Sequence, residues 1–244
     1  MSSKNRINPL VPRRYLRNIG ALSPGEQIKL MGSHVLVIGL GGLGGYAIES
    51  LARLGVGRIT GVDRDVFDET NLNRQLLSET GNLGKSKAGA ARQRLRRINP
   101  NVVFTAITAD FEFMGIEAIQ NCGLVFDCLD NIPARRRLAR RCAEAGVTIV
   151  HGAIAGWCGQ IAVCPPKSQL LEKIYAEAKR PRGEEIKSGN LVMTAAVTAN
   201  LMVAAAIPIL LGQPAKAGLH FFDLRDWTMG TSYHVPKGLG NQFA

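Results

Sequence analysis

Residues 34–44 read HVLVIGLGGLG, a short β-branched run that breaks into a G-x-G-x-x-G string at Gly39, Gly41 and Gly44. A continuous apolar run of this length predicts a strand buried on both faces, as in a parallel sheet. The glycines allow close backbone approach to a ligand, and free N–H groups at the start of the next helix favour phosphate. Leu43 to Leu54 has a helical pattern that stops at Gly55, and Arg58–Asp63 follows as a second strand. Asp63 ends that strand, where an acid accepts from ribose hydroxyls. To this point NAD, FAD, S-adenosylmethionine and ATP fit equally.

The alternation continues outward. Upstream, Ser23-Pro24-Gly25-Glu26 offers an N-cap, a first-turn proline and a capping-box glutamate, predicting a helix over Ser23–Met31. Residues 1–13 read as a loose, flexible polar arm. Downstream come a helix over Lys85–Ile98 closed by Asn99-Pro100, a strand over Val102–Ile107, a helix over Gly115–Cys122 and a strand over Leu124–Asp127. A helix over Ile132–Ala145, ended by Gly146, and a strand over Val147–Val150 complete the series. The expected fold is α/β: a Rossmann-like, doubly wound, mainly parallel sheet with helices on both faces. Beyond Gly156 the pattern changes to a strand at Gln160–Cys164, a helix near Ser168–Ala178 and a polar Lys179–Gly189 stretch expected to be a mobile loop. His220–Leu224 and Trp227–His234 are expected as closing C-terminal antiparallel strands, so that residues 14–244 form a single nucleotide-binding domain.

Composition narrows the class. The chain has 244 residues, 46% hydrophobic and 20% charged, which excludes disorder. Its five cysteines form no CxxC pair, a usage that fits a reducing, cytoplasmic setting. No secretory signal is visible, because Lys4, Arg6, Arg13, Arg14 and Arg17 precede the first apolar stretch. Leu191–Leu211 is long enough to cross a bilayer. It holds Thr194, Thr198, Asn200 and Pro208 and is rich in alanine, so a buried core helix and no membrane partner are expected. The net charge of +11 is concentrated in Arg92–Arg97 and Arg135–Arg141. These stretches are either solvated basic helix faces or a landing surface for an acidic protein or RNA.

What separates the ligands follows the second strand. Asp63-Arg64-Asp65 leads into Asn71-Leu72-Asn73-Arg74-Gln75, then Gly84-Lys85-Ser86-Lys87 at a helix start. A dinucleotide needs no Asn, Arg and Lys gathered near its phosphates, whereas a nucleoside triphosphate attacked at phosphorus does. Asp130, within FDCLDN at 126–131, emerges at the carboxyl edge of the sheet and suits Mg²⁺, which takes oxygen ligands and bridges phosphates. Asn131 could equally cap the following helix.

With these strings together the chain resembles the ThiF/MoeB/HesA family, bacterial relatives of ubiquitin-activating enzymes. The resemblance runs from Arg14-Tyr15-Leu16-Arg17-Asn18 to about Met229. It is carried by GLGGLG at 39–44, D-x-D-x₅-N-L-x-R-Q from Asp63 to Gln75, G-x-x-K ending at Lys87, INP at 98–100 and DCxDN at 127–131. It implies ATP-dependent adenylation of the C-terminal Gly-Gly carboxylate of a ubiquitin-like sulfur-carrier protein of the MoaD/ThiS kind. Pyrophosphate would be released, in molybdopterin, tungstopterin or thiamine synthesis. Residue by residue, it implies that Gly39, Gly41, Gly42 and Gly44 approach the phosphates and Asp63 holds the ribose. Asp65, Gln75 and Asn131 would complete the nucleotide site, Asn71, Arg74 and Lys87 would contact the triphosphate, and Asp130 would bind Mg²⁺. Arg17 matches an arginine that reaches the partner subunit's ATP site, implying a homodimer completed in trans.

Two departures matter. The two CxxC pairs that hold zinc in many members are missing, so no zinc is expected. The loop cysteine of many members is replaced by Glu185, which rules out a thioester or persulfide there. Cys128 is expected to be a small buried filler. Competing expectations are activation of a carboxylate on a modified tRNA base, a nucleotide-binding scaffold without turnover, and an NAD-dependent oxidoreductase. In the last, Lys87, Arg74 and Asp130 would have no role.

Overall fold

Apolar side chains alternate across the strands so as to serve two cores, one on each face of a single sheet. In the first strand, β1 (His34–Ile38), Val35 and Val37 enter one core while Leu36 and Ile38 enter the other. The computed structural model describes residues 10–176 and 185–232. The other strands are β2 (Arg58–Val62), β3 (Val103–Ile107), β4 (Leu124–Asp127), β5 (Ile149–Ala155), β6 (Cys158–Cys164), β7 (Gly218–Asp223) and β8 (Thr228–Ser232). They form one eight-stranded sheet ordered β3-β2-β1-β4-β5-β6-β7-β8. The first five strands pair in parallel, and β6, β7 and β8 add antiparallel to β5. The expected mainly parallel sheet with antiparallel C-terminal strands is what forms.

The helices divide between the faces. They are α1 (Pro24–Gly32), α2 (Gly42–Leu54), α3 (Lys87–Ile98), α4 (Ile116–Gln120), α5 (Ile132–Ala145), α6 (Leu170–Ile174), α7 (Glu185–Ser188) and α8 (Val192–Leu210). Ala47, Ile48 and Leu51 of α2, Leu95 of α3 and Met202 of α8 fill one core. Ile119 of α4, Leu138 of α5 and Leu171 of α6 fill the other. The Ser23 capping box at α1 forms as the sequence dictates, with Glu26 N–H donating to Ser23 Oγ and Ser23 N–H to the Glu26 carboxylate.

Helix α8 is the uncharged segment, long and apolar enough by itself to cross a membrane. It lies against α2, β5 and β6, with Ala195, Ala199, Met202, Val203 and Ala206 buried. Gly152 of β5 permits this approach, because a Cβ there would sit 2.3 Å from Met202 Sδ.

Some elements differ in extent from the sequence reading. β5 runs on through His151-Gly152-Ala153 to Ala155 and hairpins into β6. The helix expected near Ser168–Ala178 is a short one, Leu170–Ile174. Much of the expected loop at Lys179–Gly189 lies outside the described residues, as do residues 1–9 of the arm and 233–234 of the last expected strand; 185–188 form α7. Val11, in the remaining part of the arm, is buried.

The two basic runs behave differently. In α5, Arg136 and Arg140 share Glu172 of α6, Arg137 pairs with Glu112, and Arg141 donates to the Phe111 and Met114 carbonyls. Arg135 is buried. These ion pairs tie α5 to α6 and to the Glu112 turn, and the Arg136, Arg137 and Arg140 side chains remain 36%, 46% and 60% exposed. In α3, Arg94 binds Glu49 of α2, while Arg96 and Arg97 face outward.

Trp157, in the β5–β6 turn, and Trp227, in the β7–β8 turn, sit at adjacent turns joined by the Leu224 N–H to the Trp157 carbonyl.

Candidate active site

The chain passes from β1 to β2 on one side, whereas from the neighbouring β4 it passes to β5 on the other, and the two departures open a crevice at the carboxyl ends of β1 and β4, the place where ligands bind in open α/β sheets. The turn out of β1 needs Gly39, whose φ is +90°. It also needs Gly44, because a Cβ at that position would lie 1.8 Å from the Gly39 carbonyl oxygen. Helix α2 begins at Gly42 with Gly41 as its N-cap, leaving first-turn N–H groups directed at the crevice.

Each strand end and its following loop adds a side chain. After β2, Asp63 accepts the Leu40 N–H at 2.7 Å and the Asp65 N–H at 2.8 Å, fixing the carboxylate beside the glycine turn. Burial pushes the Asp63 carboxyl above its ordinary value, opposed by those two N–H donors and by the Lys87 charge. Lys87, the first residue of α3, follows Ser86, whose hydroxyl caps the helix by accepting from Gly89 N–H. Its Nζ lies 3.3 Å from Asp65 Oδ2. Arg74 donates to the Thr70 carbonyl at 2.8 Å and to Asn73 Oδ1 at 3.0 Å. After β4, Asp130 and Asn131 reach the crevice, and Asn131 also caps α5 by accepting from Ala134 N–H.

These residues line one cavity of about 360 Å³. Of the residues singled out in the sequence, it brings together Gly39, Gly41, Gly42, Asp63, Asp65, Arg74, Gln75, Lys87, Asp130 and Asn131. Three are not on its wall. Gly44 sits behind the turn. Asn71 is buried with its Oδ1 accepting from Asp68 N–H at 3.2 Å, as the partner of a capping box. Arg17 is exposed elsewhere on the chain.

The cavity also takes in side chains that sequence reasoning missed: Arg64, Phe111, Arg135, Arg137 and Asn190. Arg135 is in the quoted basic run, but nothing local distinguishes it from its neighbours. Beneath the β4 loop lies a buried set, also missed: Asp127 Oδ2 to His151 Nδ1 at 2.7 Å, and His151 Nε2 to the Tyr175 hydroxyl at 2.9 Å. Its signal was a histidine inside an otherwise apolar strand, since a buried polar ring requires partners. Burial lowers the His151 imidazole below its ordinary value, against the pull of Asp127.

Chemically, the wall offers the cations Arg74 and Lys87 with Arg64, Arg135 and Arg137 beside them, the fixed Asp63 carboxylate, helix-start N–H groups and the exposed Asp130 carboxylate. Gln75 Oε1 and Asn190 Oδ1 are buried on this wall without hydrogen-bond partners among the described residues. They are acceptors, suited to a hydroxyl or water brought by a ligand. No cluster of three or more His, Cys, Asp or Glu is present among the described residues. Mg²⁺ on a nucleotide needs none, because it keeps waters and takes one or two carboxylates besides phosphate. Asp130, a hard oxygen donor lining the same cavity as Lys87 and Arg74, fits that requirement. Burial pushes the Cys128 thiol, also on the wall, well above its ordinary value, which leaves it a poor nucleophile.

Comparison with known proteins agrees with this layout. The ThiF family model matches residues 15–237. The chain is similar to the SAMP-activating enzyme E1 of Haloferax volcanii, at 32% identity over 225 residues, spanning 89% of this chain and 83% of that protein. It is similar to the molybdopterin-synthase adenylyltransferase of Salmonella typhimurium, at 34% identity over 204 residues and 81% of each. Among solved structures, Escherichia coli MccB with ATP shares the fold, with a TM-score of 0.73 at 19% identity, covering 91% of this chain and 71% of that chain.

Proposed function

The chain belongs to the ThiF family, and from that premise we propose that it is an adenylyltransferase using ATP to adenylate the C-terminal carboxylate of a small ubiquitin-like sulfur-carrier protein. The observation that carries this reading is the gathering of Arg74, Lys87, Asp63 and Asp130 on one cavity over the glycine turn. An oxidoreductase would leave those cations unused.

In this reading the α2 N-terminus and glycine turn cradle the phosphates, and Asp63 orients the ribose. A carboxylate oxygen of the carrier attacks the α-phosphorus in line, forming an acyl-adenylate and expelling pyrophosphate. No group on the protein is covalently modified. Arg74 and Lys87 neutralise charge that grows on the phosphate oxygens as the bond to pyrophosphate breaks. Asp130 would hold Mg²⁺, which would supply further neutralisation of the triphosphate's negative charge. The remaining work is alignment, for which the fixed Asp63 carboxylate and rigid turn are suited.

The carrier's Gly-Gly end fits because two residues without side chains can thread toward a crevice walled by Arg74 and Asn190. Arg17, exposed and off the cavity wall of its own chain, is the residue we assign to the partner subunit's site in a homodimer.

Carrier-dependent exchange of labelled pyrophosphate into ATP tests the reading. Exchange with a Gly-Gly carrier, lost when the terminal glycine is removed, is the expected result. Exchange with tRNA and none with any carrier would overturn the substrate; no exchange with either would overturn the activity. Mixing inactive Arg17→Ala and inactive Lys87→Ala chains should restore up to a quarter of the sites if subunits exchange at random, as two-fold mixing predicts in order of magnitude (~25%). No restoration in chains shown to exchange would remove Arg17 from the partner's site.

A further inference from the structure

The buried groups under the β4 loop form a closed circuit. Arg135 donates through Nη1 to the Tyr175 hydroxyl at 2.5 Å, and Tyr175 bonds His151 Nε2 at 2.9 Å. His151 Nδ1 bonds Asp127 Oδ2 at 2.7 Å. The circuit then closes on a single residue of the loop. Asp127 Oδ1 accepts the Leu129 N–H at 3.1 Å, and Arg135 donates through Nε at 3.0 Å and Nη2 at 2.7 Å to the Leu129 carbonyl.

The direction of every bond is fixed by chemistry. Arginine only donates, so the tyrosine oxygen accepts from Arg135 and its proton goes to His151 Nε2. That leaves the imidazole proton on Nδ1, pointing at the carboxylate, and the ring neutral. Asp127, Arg135, His151 and Tyr175 are all buried. Burying an acid and a guanidinium is costly, and apolar residues of similar size would often be as stable. The cost is incurred here at the two polar backbone atoms of the residue that immediately precedes Asp130.

We propose that Tyr175 is a positioning residue for Asp130, acting through Arg135, His151 and Asp127, which together grip both backbone atoms of Leu129 and so set where the Asp130 carboxylate stands. This rests on the reading of Asp130 as the magnesium-holding acid. The hydroxyl is the keystone because it joins the two arms of the grip: without it, Arg135 and His151 lose their link, although Arg135 keeps the Leu129 carbonyl and His151 keeps Asp127, which holds the Leu129 N–H. Tyr175 comes from the turn after α6, distant in sequence, and touches no reacting atom. A local loop alone would be freer to swing, so the circuit adds rigidity to the backbone that carries the exposed Asp130 carboxylate.

The test is binding of α,β-methylene-ATP to the full chain by calorimetry, with and without Mg²⁺, alongside thermal melting. Wild type should bind more tightly when Mg²⁺ is present, and Asp130→Ala should lose that gain. Tyr175→Phe should bind the metal-free nucleotide like wild type yet lose most of the gain, about tenfold if the carboxylate is displaced as outer-shell partners of metal ligands show. His151→Asn, which can still donate to Asp127 but is too short to reach the Tyr175 hydroxyl, cuts the circuit at another point and should behave alike, covering the case in which Tyr175→Phe does not fold. Gln160→Leu is the control: Gln160 also reaches the tyrosine hydroxyl, at 3.4 Å, but lies outside the circuit, and the gain should survive.

An unchanged gain in Tyr175→Phe or His151→Asn would overturn the proposal. So would an equal weakening with and without metal, which is the mark of a merely structural role. Nucleotide binding without any Mg²⁺ gain in wild type would remove the role of Asp130 and this proposal with it. No nucleotide binding at all would instead sink the adenylation reading.

Discussion

Replacing Lys87 by Met removes one positive charge and little else. The lysine side chain is 9% exposed, with Nζ 3.3 Å from Asp65 Oδ2, while the Asp65 side chain is 58% exposed. An ion pair with so open a partner contributes at most about 1 kcal/mol. Methionine fills the space of the buried stem, and volume-conserving exchanges cost less than about 1.5 kcal/mol. At roughly 2–4 °C per kcal/mol for a chain of this size, Tm should fall by no more than about 10 °C. The effect on rate should be much larger, because a positioned donor meeting charge at the transition state is worth roughly 10²–10³ in kcat. Pyrophosphate exchange at saturating ATP and carrier measures it, with melting followed in parallel. A fall in kcat below tenfold, in a variant that melts normally, would refute the claim that Lys87 meets charge developing at phosphorus.

Gly44→Ala places a Cβ 1.8 Å from the Gly39 carbonyl and should cost about 1–3 kcal/mol with weakened nucleotide binding, whereas Gly81→Ala, with nothing within 4 Å, should be tolerated; melting and nucleotide titration of both check this. Burial, and then the Asp223 carboxylate 3.2 Å away, push the Cys158 thiol up to about 11, so Asp223→Asn should lower it and speed iodoacetamide alkylation at pH 8 several-fold; an unchanged rate counts against that assignment. Because burial lowers His151 below 6.5 in the folded chain, the unfolded chain takes up that proton first, and the contribution to stability present above about pH 6.5 is lost as pH falls. Imidazole ¹⁵N shifts at pH 6.5 should show His151 neutral with Nδ1 protonated, and a doubly protonated ring would contradict the circuit.

What was legible in the sequence was set by neighbours a few residues apart. The glycine turn, the Asp63 strand end, the Ser23–Glu26 box and the Ser86 cap before Lys87 each depend on contacts within one turn, so spacing alone predicts them. The gathering of the cations with Asp130 followed because parallel strands place all their carboxyl ends at one edge. The ion pairing on α5 was illegible for the opposite reason. Its arginines look free in a one-dimensional reading, and the acids that occupy them, Glu112 and Glu172, lie 25 to 36 residues away. The Asp127–His151–Tyr175 set spans two gaps of 24 residues, and no local pattern connects them. Asn71 shows a third case, in which a residue expected to face the ligand has its side-chain oxygen engaged in capping the turn that presents Arg74.

The chain has two tryptophans, and both stand at the paired turns beyond β5 and β7, with Trp157 41% exposed and Trp227 87% exposed. Native emission is therefore that of indoles already facing water, so denaturation will shift the spectrum little and iodide will quench it in the intact fold. The same optics turn useful at the rim: a blue shift or loss of quenching there reports a molecule settling on that edge of the sheet, without any added label.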